Sequence, residues 1–142
     1  MTPNLFLLDE TRAWLLRAAE DLAAAAALTA PATLRSALFH CQQATEKSLK
    51  AFLTWHQRPF PRTHNLTVLS AFCAEVDASL DAAVAPSIAL TRFAVAMRYP
   101  GEIEEPLIAE VREWRAVART IFDAICSRLP QETHPDCRGN HE

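Results

Sequence analysis

The polar side chains best suited to chemistry lie in the stretch 40-HCQQATEKSLKAFL-53. Five of them accompany an apolar stripe of helical spacing: Gln42, Gln43, Glu46, Lys47 and Lys50. Glu46 and Lys50 are four positions apart, which favours an ion pair on a solvated helix face. Adjacent glutamines are not needed for solubility, so Gln43 and Lys47 are predicted to line a groove that binds a polar ligand.

Positive charge is concentrated in residues 35–64. This window contains five lysines and arginines against a single glutamate, a net charge of +4 in a chain whose net charge is −3. It also holds three of the five histidines: His40, His56 and His64. Such an asymmetry indicates an anionic ligand near the window, with a plain solvated basic face as the alternative.

Further candidate ligand contacts lie in the proline-interrupted loop 56–65 and near residue 98. In the loop, Arg62 and His64 suit a phosphate or a base, although His64 is equally placed to fix the start of the next helix. Arg98 and Tyr99 precede a Pro-Gly turn, where an arginine binds phosphate and a tyrosine stacks on a base. The helix dipole alone also favours an arginine at such a helix end.

The cysteines and the C-terminal histidines do not form a recognisable metal motif. The four cysteines are far apart and make no CxxC pair, so neither a zinc site nor a redox motif is predicted. Three of them fall on apolar stripes and are interpreted as small buried hydrophobic residues: Cys41, Cys73 and Cys126. The tail residues His134, Asp136, Cys137 and His141 are interpreted as a chance cluster. We predict no metal and no cofactor.

Hydrophobic periodicity predicts five amphipathic helices. Their approximate bounds are residues 9–28, 32–55, 65–80, 84–98 and 104–129. Only two glycines occur in 142 residues, which argues against strand folds with glycine turns and against glycine-rich phosphate loops. The sequence therefore predicts an all-α, up-and-down antiparallel bundle in one domain, residues 1–129, followed by a flexible tail, residues 130–142.

Apolar residues off the main stripes indicate a second contact surface. Helices 2 and 5 carry four of them: Phe39, Leu49, Val117 and Phe122. A homodimer would cover this surface, so we expect one. No charged-then-apolar leader opens the chain and no apolar run approaches the roughly 20 residues of a membrane span. We expect a cytoplasmic protein with reduced thiols and no membrane contact.

Four segments in order resemble the HEPN domain (higher eukaryote and prokaryote nucleotide-binding). They are 14-WLLRAAEDLAAA-25, 40-HCQQATEKSLKAFL-53, 62-RTHNL-66 and 98-RYPG-101, and the resemblance spans about residues 8–128. It implies a bundle of four to five helices, usually a homodimer with a cleft at the interface. It also implies a partner, because members of this family are often encoded beside a minimal nucleotidyltransferase and bind it.

Other branches of this family are metal-independent ribonucleases, many of them toxins. The resemblance implies for these an arginine and, four to six residues later, a histidine on a helix at the dimer cleft. The histidine moves the 2′-hydroxyl proton and the arginine steadies the phosphate. Arg92 and Arg98 lie in the corresponding helix here, but no histidine follows either at that distance. Only 58-RPFPRTH-64 has the spacing, in a loop where fixed side chains are harder to hold.

These observations predict a small module that dimerises, that binds a nucleotide or RNA, or a nucleotidyltransferase partner, and that is not an enzyme by itself. One alternative is an endoribonuclease that uses Arg58 or Arg62 with His64. Another is a dimeric helical interaction protein without a nucleotide. In an up-and-down bundle the loop after helix 2 and the end of helix 4 lie at the same end, so the ligand is predicted there.

Overall fold

The computed structural model describes residues 4–91 and 105–135. Within these ranges the chain forms five α-helices and no strand, which confirms the predicted all-α bundle. The helices are α1 (Leu5–Ala27), α2 (Leu34–Trp55), α3 (Leu66–Val76), α4 (Leu80–Val84) and α5 (Ile108–Cys126). Two 3-10 segments, Ala85–Leu90 and Gln131–Thr133, complete the described part.

Helices α1 and α2 run antiparallel. Asp21 of α1 binds Lys47 of α2, whereas Trp14, seven residues earlier, contacts Lys50, three residues later. The contacts thus advance in opposite directions along the two helices, as the short connection between them requires. Helix α1 begins earlier than predicted because Asn4 caps it, its side chain accepting from the backbone amide of Leu7 at 3.2 Å.

The hydrophobic core is centred on α2, which packs against α1, α3 and α5. Its largest fully buried side chains include Leu15, Leu38, Phe52, Leu69 and Ile121. Leu49 and Phe122, two of the apolar residues that suggested a second contact surface, are themselves buried in this core. None of the helices in the described ranges has the length and hydropathy that a membrane crossing requires.

The region between α3 and α5 departs from the predicted helix bounds. Helix α3 ends at Val76 because the next residue, Asp77, turns the chain: its carboxylate accepts from Ser79 through the backbone amide at 3.0 Å and the hydroxyl at 2.6 Å. Pro86 has no N–H to donate into an α-helix, and Ala85–Leu90 is accordingly a 3-10 segment. The rest of the predicted fourth helix falls in residues 92–104, outside the described residues.

The C-terminal end differs from the polar tail that the sequence suggested. Helix α5 ends at Cys126, and residues 130–135 fold back onto the bundle. Thr133 is buried, and the Arg12 guanidinium donates to the backbone carbonyl of Glu132, by Nε at 2.9 Å. His134 Nε2 lies 2.7 Å from the carbonyl oxygen of Cys126. Hydrogen bonds between side chains and backbone carbonyls thus anchor this segment. Residues 136–142 lie outside the described residues.

Candidate functional site

A ladder of polar side chains runs along one face of α2 and is buried. Gln42, Glu46 and Lys50 follow one another at intervals of four residues and are only 0%, 3% and 8% exposed. Gln42 Nε2 donates to Glu46 Oε1 at 3.2 Å, and Lys50 Nζ lies 3.1 Å from Glu46 Oε2. The predicted Glu46–Lys50 pair is present, but in the interior rather than on a solvated face. A charge is stable there only when its partners are in place.

The loop before α3 contributes His64 to this ladder. His64 Nδ1 lies 2.8 Å from Glu46 Oε1, and the backbone carbonyl of His64 accepts from Gln42 Nε2 at 3.2 Å. Because a carboxylate oxygen only accepts, Nδ1 is the donor, and the neutral imidazole then carries its lone pair on Nε2. The His64 side chain is 56% exposed, and no group in the described part of the chain hydrogen-bonds to Nε2. A buried carboxylate therefore orients a solvent-accessible imidazole.

Two aromatic rings enclose the ammonium group of Lys50. Its Nζ lies 5.5 Å from the ring centroid of Trp14 on α1 and 5.9 Å from that of Phe60 in the loop. The two rings are themselves in edge contact, with centroids 6.5 Å apart. A cation between aromatic faces is stabilised by their quadrupoles. Lys50 thus links α1, α2 and the loop, and it is a structural residue.

A second buried carboxylate, Asp21 of α1, holds two further side chains of α2. Lys47 Nζ lies 2.6 Å from Asp21 Oδ2, and His40 Nδ1 lies 2.8 Å from Asp21 Oδ1. Asp21 is only 7% exposed, whereas the Lys47 side chain is 21% exposed. The predicted ligand residue Lys47 is therefore directed at α1. Gln43, the other predicted groove residue, donates from Nε2 to Gln42 Oε1 at 2.6 Å and so joins the ladder.

Most of the positive charge in residues 35–64 is neutralised by carboxylates, three of which lie outside the window. Besides Lys47 and Lys50, Arg35 pairs with Glu105 at 3.1 Å and Arg58 with Glu75 at 2.8 Å. Burial also lowers the pKa of His56, which favours its neutral form. Arg62 is the one cation of the window that forms no ion pair within the described residues. The excess of +4 along the chain therefore becomes, in space, a single unpaired arginine beside His64.

The structure links Gln43 to His64 through Gln42, and Arg62 precedes His64 by two residues in the same loop. It does not extend to every predicted contact. Arg92, Arg98 and Tyr99 lie outside the described residues. The last residue before that gap, Thr91, accepts from the Leu66 backbone amide through its hydroxyl at 3.0 Å. Thr91 therefore lies next to the start of α3, and its partner Leu66 is two residues from His64.

The buried cysteines are not chemical candidates. Burial raises the pKa of Cys41 and of Cys73 to about 12, with Arg115 partly opposing the effect at Cys41. At neutral pH both are thiols, and a thiol is neither an effective nucleophile nor a metal ligand. Residues 4–91 and 105–135 contain no cluster of metal-binding side chains.

The sequence interpretation missed the part played by Gln42 and by Asp21. The spacing of Gln42, Glu46 and Lys50 was visible, because four-residue intervals place side chains on one helix face. What was not visible is that His64 and Phe60 cover this face. No local signal marks Asp21 as the partner of two residues on the next helix. Such partners depend on the register of helix packing.

Comparison with known families is consistent with this architecture. The model of the HEPN domain family matches residues 11–129, most of the chain. No curated protein and no solved structure shows significant similarity to this chain. The chain belongs to the HEPN domain family.

Proposed function

We propose that this chain is a HEPN module that binds the phosphate of a nucleotide or RNA beside the loop 56–65. The contact between His64 Nδ1 and Glu46 Oε1 at 2.8 Å carries the proposal. A carboxylate that is 3% exposed is costly to bury, and here it fixes the ring of an exposed histidine. Arg62 supplies the unpaired positive charge beside it. An imidazole and a guanidinium in one loop are suited to a phosphate group.

The two side chains have different roles in this proposal. Arg62 attracts the anion, and its guanidinium donates to phosphate oxygens. His64 presents Nε2, which accepts from a ribose hydroxyl when the ring is neutral and donates to phosphate when it is protonated. Gln43 and Lys47 are assigned supporting roles, since the first extends the ladder and the second holds α1 against α2.

Arg98 and Tyr99 are proposed to complete the site from the other side. The support is the Thr91–Leu66 hydrogen bond, which holds Thr91, seven residues before Arg98, beside the start of α3. An arginine would add a second phosphate contact, and a tyrosine would give the base a stacking surface. A nucleotide would then bind with its phosphate near Arg62 and its base near Tyr99.

Titration with ATP and with a short single-stranded RNA tests this proposal. We expect saturable binding that weakens as salt rises, because phosphate contacts are electrostatic. Arg62→Ala and His64→Ala should each weaken it about five- to tenfold. Arg112→Ala is the matched control, since Arg112 is another exposed arginine without an ion pair in the described residues. If Arg112→Ala weakens ATP binding as much as Arg62→Ala does, the weakening reflects the net charge of the chain and not a site in the loop. If the wild type binds neither ATP nor RNA at low salt, a helical interaction protein without a nucleotide is favoured.

A ribonuclease is the second candidate, and the same Glu46–His64 contact favours it. An oriented imidazole beside an arginine is able to move a 2′-hydroxyl proton and steady a phosphate. Since Arg58 is tied to Glu75, Arg62 would be the partner of His64. We nevertheless expect no cleavage of labelled RNA in EDTA, because the arginine–histidine spacing of the nuclease branches is absent around Arg92 and Arg98. Cleavage that His64→Ala abolishes and Arg112→Ala preserves would establish the nuclease instead.

We also propose that the chain forms a homodimer and binds a minimal nucleotidyltransferase. Membership of the HEPN family and two exposed apolar side chains in the first turn of α1, Leu5 and Phe6, support a further interface. Light scattering should give twice the chain mass of 15.8 kDa, and Phe6→Glu should shift it towards the monomer. A wild-type monomer at micromolar concentration would contradict the dimer. Co-purification with a co-expressed minimal nucleotidyltransferase would test the second partner.

A further inference from the structure

A groove of about 540 Å³ lies between α1 and α5, away from the ladder. Helix α1 contributes alanines to it at positions 19, 23 and 26, whereas Trp14 and Asp21 occupy the side that faces α2. At about 100° per residue, these two sets of α1 positions point in nearly opposite directions. The groove is thus separate from the proposed phosphate site.

The other wall of the groove carries positive charge. Arg112, Arg115 and Arg119 line it from α5, and none of the described residues that line the groove is a carboxylate. Arg112 is exposed and forms no ion pair within the described residues. Arg115 donates to the Thr29 hydroxyl at 3.3 Å, and Arg119 pairs with Asp123 at 3.2 Å with both side chains about 60% exposed. Such an exposed pair is worth little, so the guanidinium groups of Arg112 and Arg119 are open to a stronger acceptor. Arg115 is half-buried between them.

The apolar lining of the groove distinguishes between classes of anion. It is built of Ala19, Ala23 and Ala26 together with Leu22 and Ala116, and none of the described residues that line the groove is aromatic. A nucleic acid would leave these apolar side chains uncovered and find no ring on which to stack a base. An α-helix that buries small apolar side chains in the groove is able to approach closely, because alanines allow short distances between helix axes.

We propose that this groove binds an acidic amphipathic helix of a partner protein. The arginines at positions 112, 115 and 119 are three and four residues apart and extend over roughly 10 Å of α5. A docked helix with carboxylates at intervals of three and four residues matches this row, and its apolar face covers the alanines. This is the helix-in-groove mode of recognition, in which apolar anchors give affinity and charges give orientation.

The test uses two synthetic helical peptides of about 20 residues, which suffice for several turns. Both carry alanine and leucine on one face; one has glutamates beside that face at intervals of three and four residues, and the other has lysines. Fluorescence anisotropy should show that the wild-type chain binds the acidic peptide and not the basic one. Arg112→Glu combined with Arg119→Glu should weaken binding by at least about tenfold. Ala23→Trp, which fills the groove and keeps every charge, should weaken it as much.

Arg62→Ala is the matched control and should bind the acidic peptide like the wild type, while circular dichroism verifies that each variant is folded. The proposal is overturned if the acidic peptide does not bind, or if it binds equally well to the Ala23→Trp chain. A short RNA that displaces the peptide and binds Ala23→Trp normally would assign the arginines to nucleic acid instead. A dimer that Ala23→Trp dissociates would show that a second copy of the chain occupies the groove.

Discussion

The basic window of residues 35–64 and the groove between α1 and α5 present opposite relations between sequence and surface charge. In the window, Arg35, Lys47, Lys50 and Arg58 pair with carboxylates, three of them from other segments. In the groove, three arginines on one helix face converge, although α5 carries as many acidic as basic residues. Charge counted along a chain therefore does not locate charge in space. The position of a charge in space depends on the helix face on which its residue lies.

The two regions also differ in what their charges contribute. The window contains pairs removed from water, and breaking one of them leaves a buried charge without a partner. The groove contains solvated guanidinium groups, whose attraction to Asp123 or Thr29 is weak and screened. Changes to the two largely buried pairs of the window, Glu46–Lys50 and Asp21–Lys47, should therefore affect stability first, and changes in the groove should affect binding first.

The largest expected effect is that of Glu46→Ala. The substitution leaves the Lys50 ammonium in the interior without its carboxylate. It also removes one of the two acceptors of the Gln42 amide and releases the His64 ring. We expect the free energy of unfolding to fall by about 3–5 kcal/mol, measured by urea denaturation.

The double variant Glu46→Leu, Lys50→Met is the control for this prediction. It removes both charges at once and retains apolar volume, so it should be much more stable than Glu46→Ala. Its affinity for ATP should nevertheless be lower than that of the wild type, because His64 has lost the carboxylate that orients it. If the free energy of unfolding of Glu46→Ala falls by less than about 1 kcal/mol, the Glu46–Lys50 pair behaves as a solvated surface pair and the prediction is wrong.

The second prediction separates packing from ligand binding at Lys47. In Lys47→Met, Asp21 keeps His40 but loses the ammonium group at 2.6 Å. We expect a loss of about 1–3 kcal/mol in unfolding free energy and a change in ATP affinity below about threefold. An affinity loss as large as that of Arg62→Ala, in a chain of normal stability, would make Lys47 a direct ligand.

The third prediction compares two arginines of the same loop. Arg58 is paired with Glu75 and lies over the ring of Phe72, whereas Arg62 is unpaired. Arg58→Ala should change stability by less than about 1 kcal/mol, since the pair is exposed. It should also leave ATP binding nearly unchanged under conditions in which Arg62→Ala weakens it. Equal effects of the two substitutions would show that only the overall charge of the loop matters.

The fold was largely predictable because its signals are local. The stripes of α1, α2 and α5 and the cap at Asn65, whose side chain accepts from Thr67 and Val68, are readable within one segment. The bounds around Asp77 and Pro86 were missed, since a continuing apolar stripe concealed a turn and a 3-10 segment. An aspartate side chain can accept the hydrogen bonds of nearby backbone amides and so end a helix. Whether it does so depends on tertiary packing and not on the hydrophobic pattern of the sequence.

The site was predictable only in part, for a related reason. His64 and Arg62 stood out by residue type and by their place in a proline-interrupted loop. That Glu46 faces His64 depends on how the loop folds back over α2, a contact across 18 positions. Likewise, the pairing of Arg58 with Glu75 needs the register of α3 against the loop. Ion pairs between segments are invisible to any window that covers only one of them.

The smallest expected effect concerns acid stability and depends on Asp77, a carboxylate that is only partly exposed. Hydrogen bonds from the Ser79 hydroxyl and backbone amide, followed by the Arg128 guanidinium, lower the pKa of Asp77 from its ordinary value of 3.8. The unfolded chain then binds this proton at a higher pH than the folded chain does. The stabilisation from Asp77 is therefore complete above the unfolded pKa and is lost as the pH falls through the folded one. Between about pH 5 and pH 3, the melting temperature of Asp77→Asn should fall less than that of the wild type. Asp81→Asn, which removes a nearby carboxylate without a side-chain hydrogen bond in the described residues, should keep the wild-type slope. Parallel curves for Asp77→Asn and the wild type would show that Ser79 and Arg128 do not favour the ionised form.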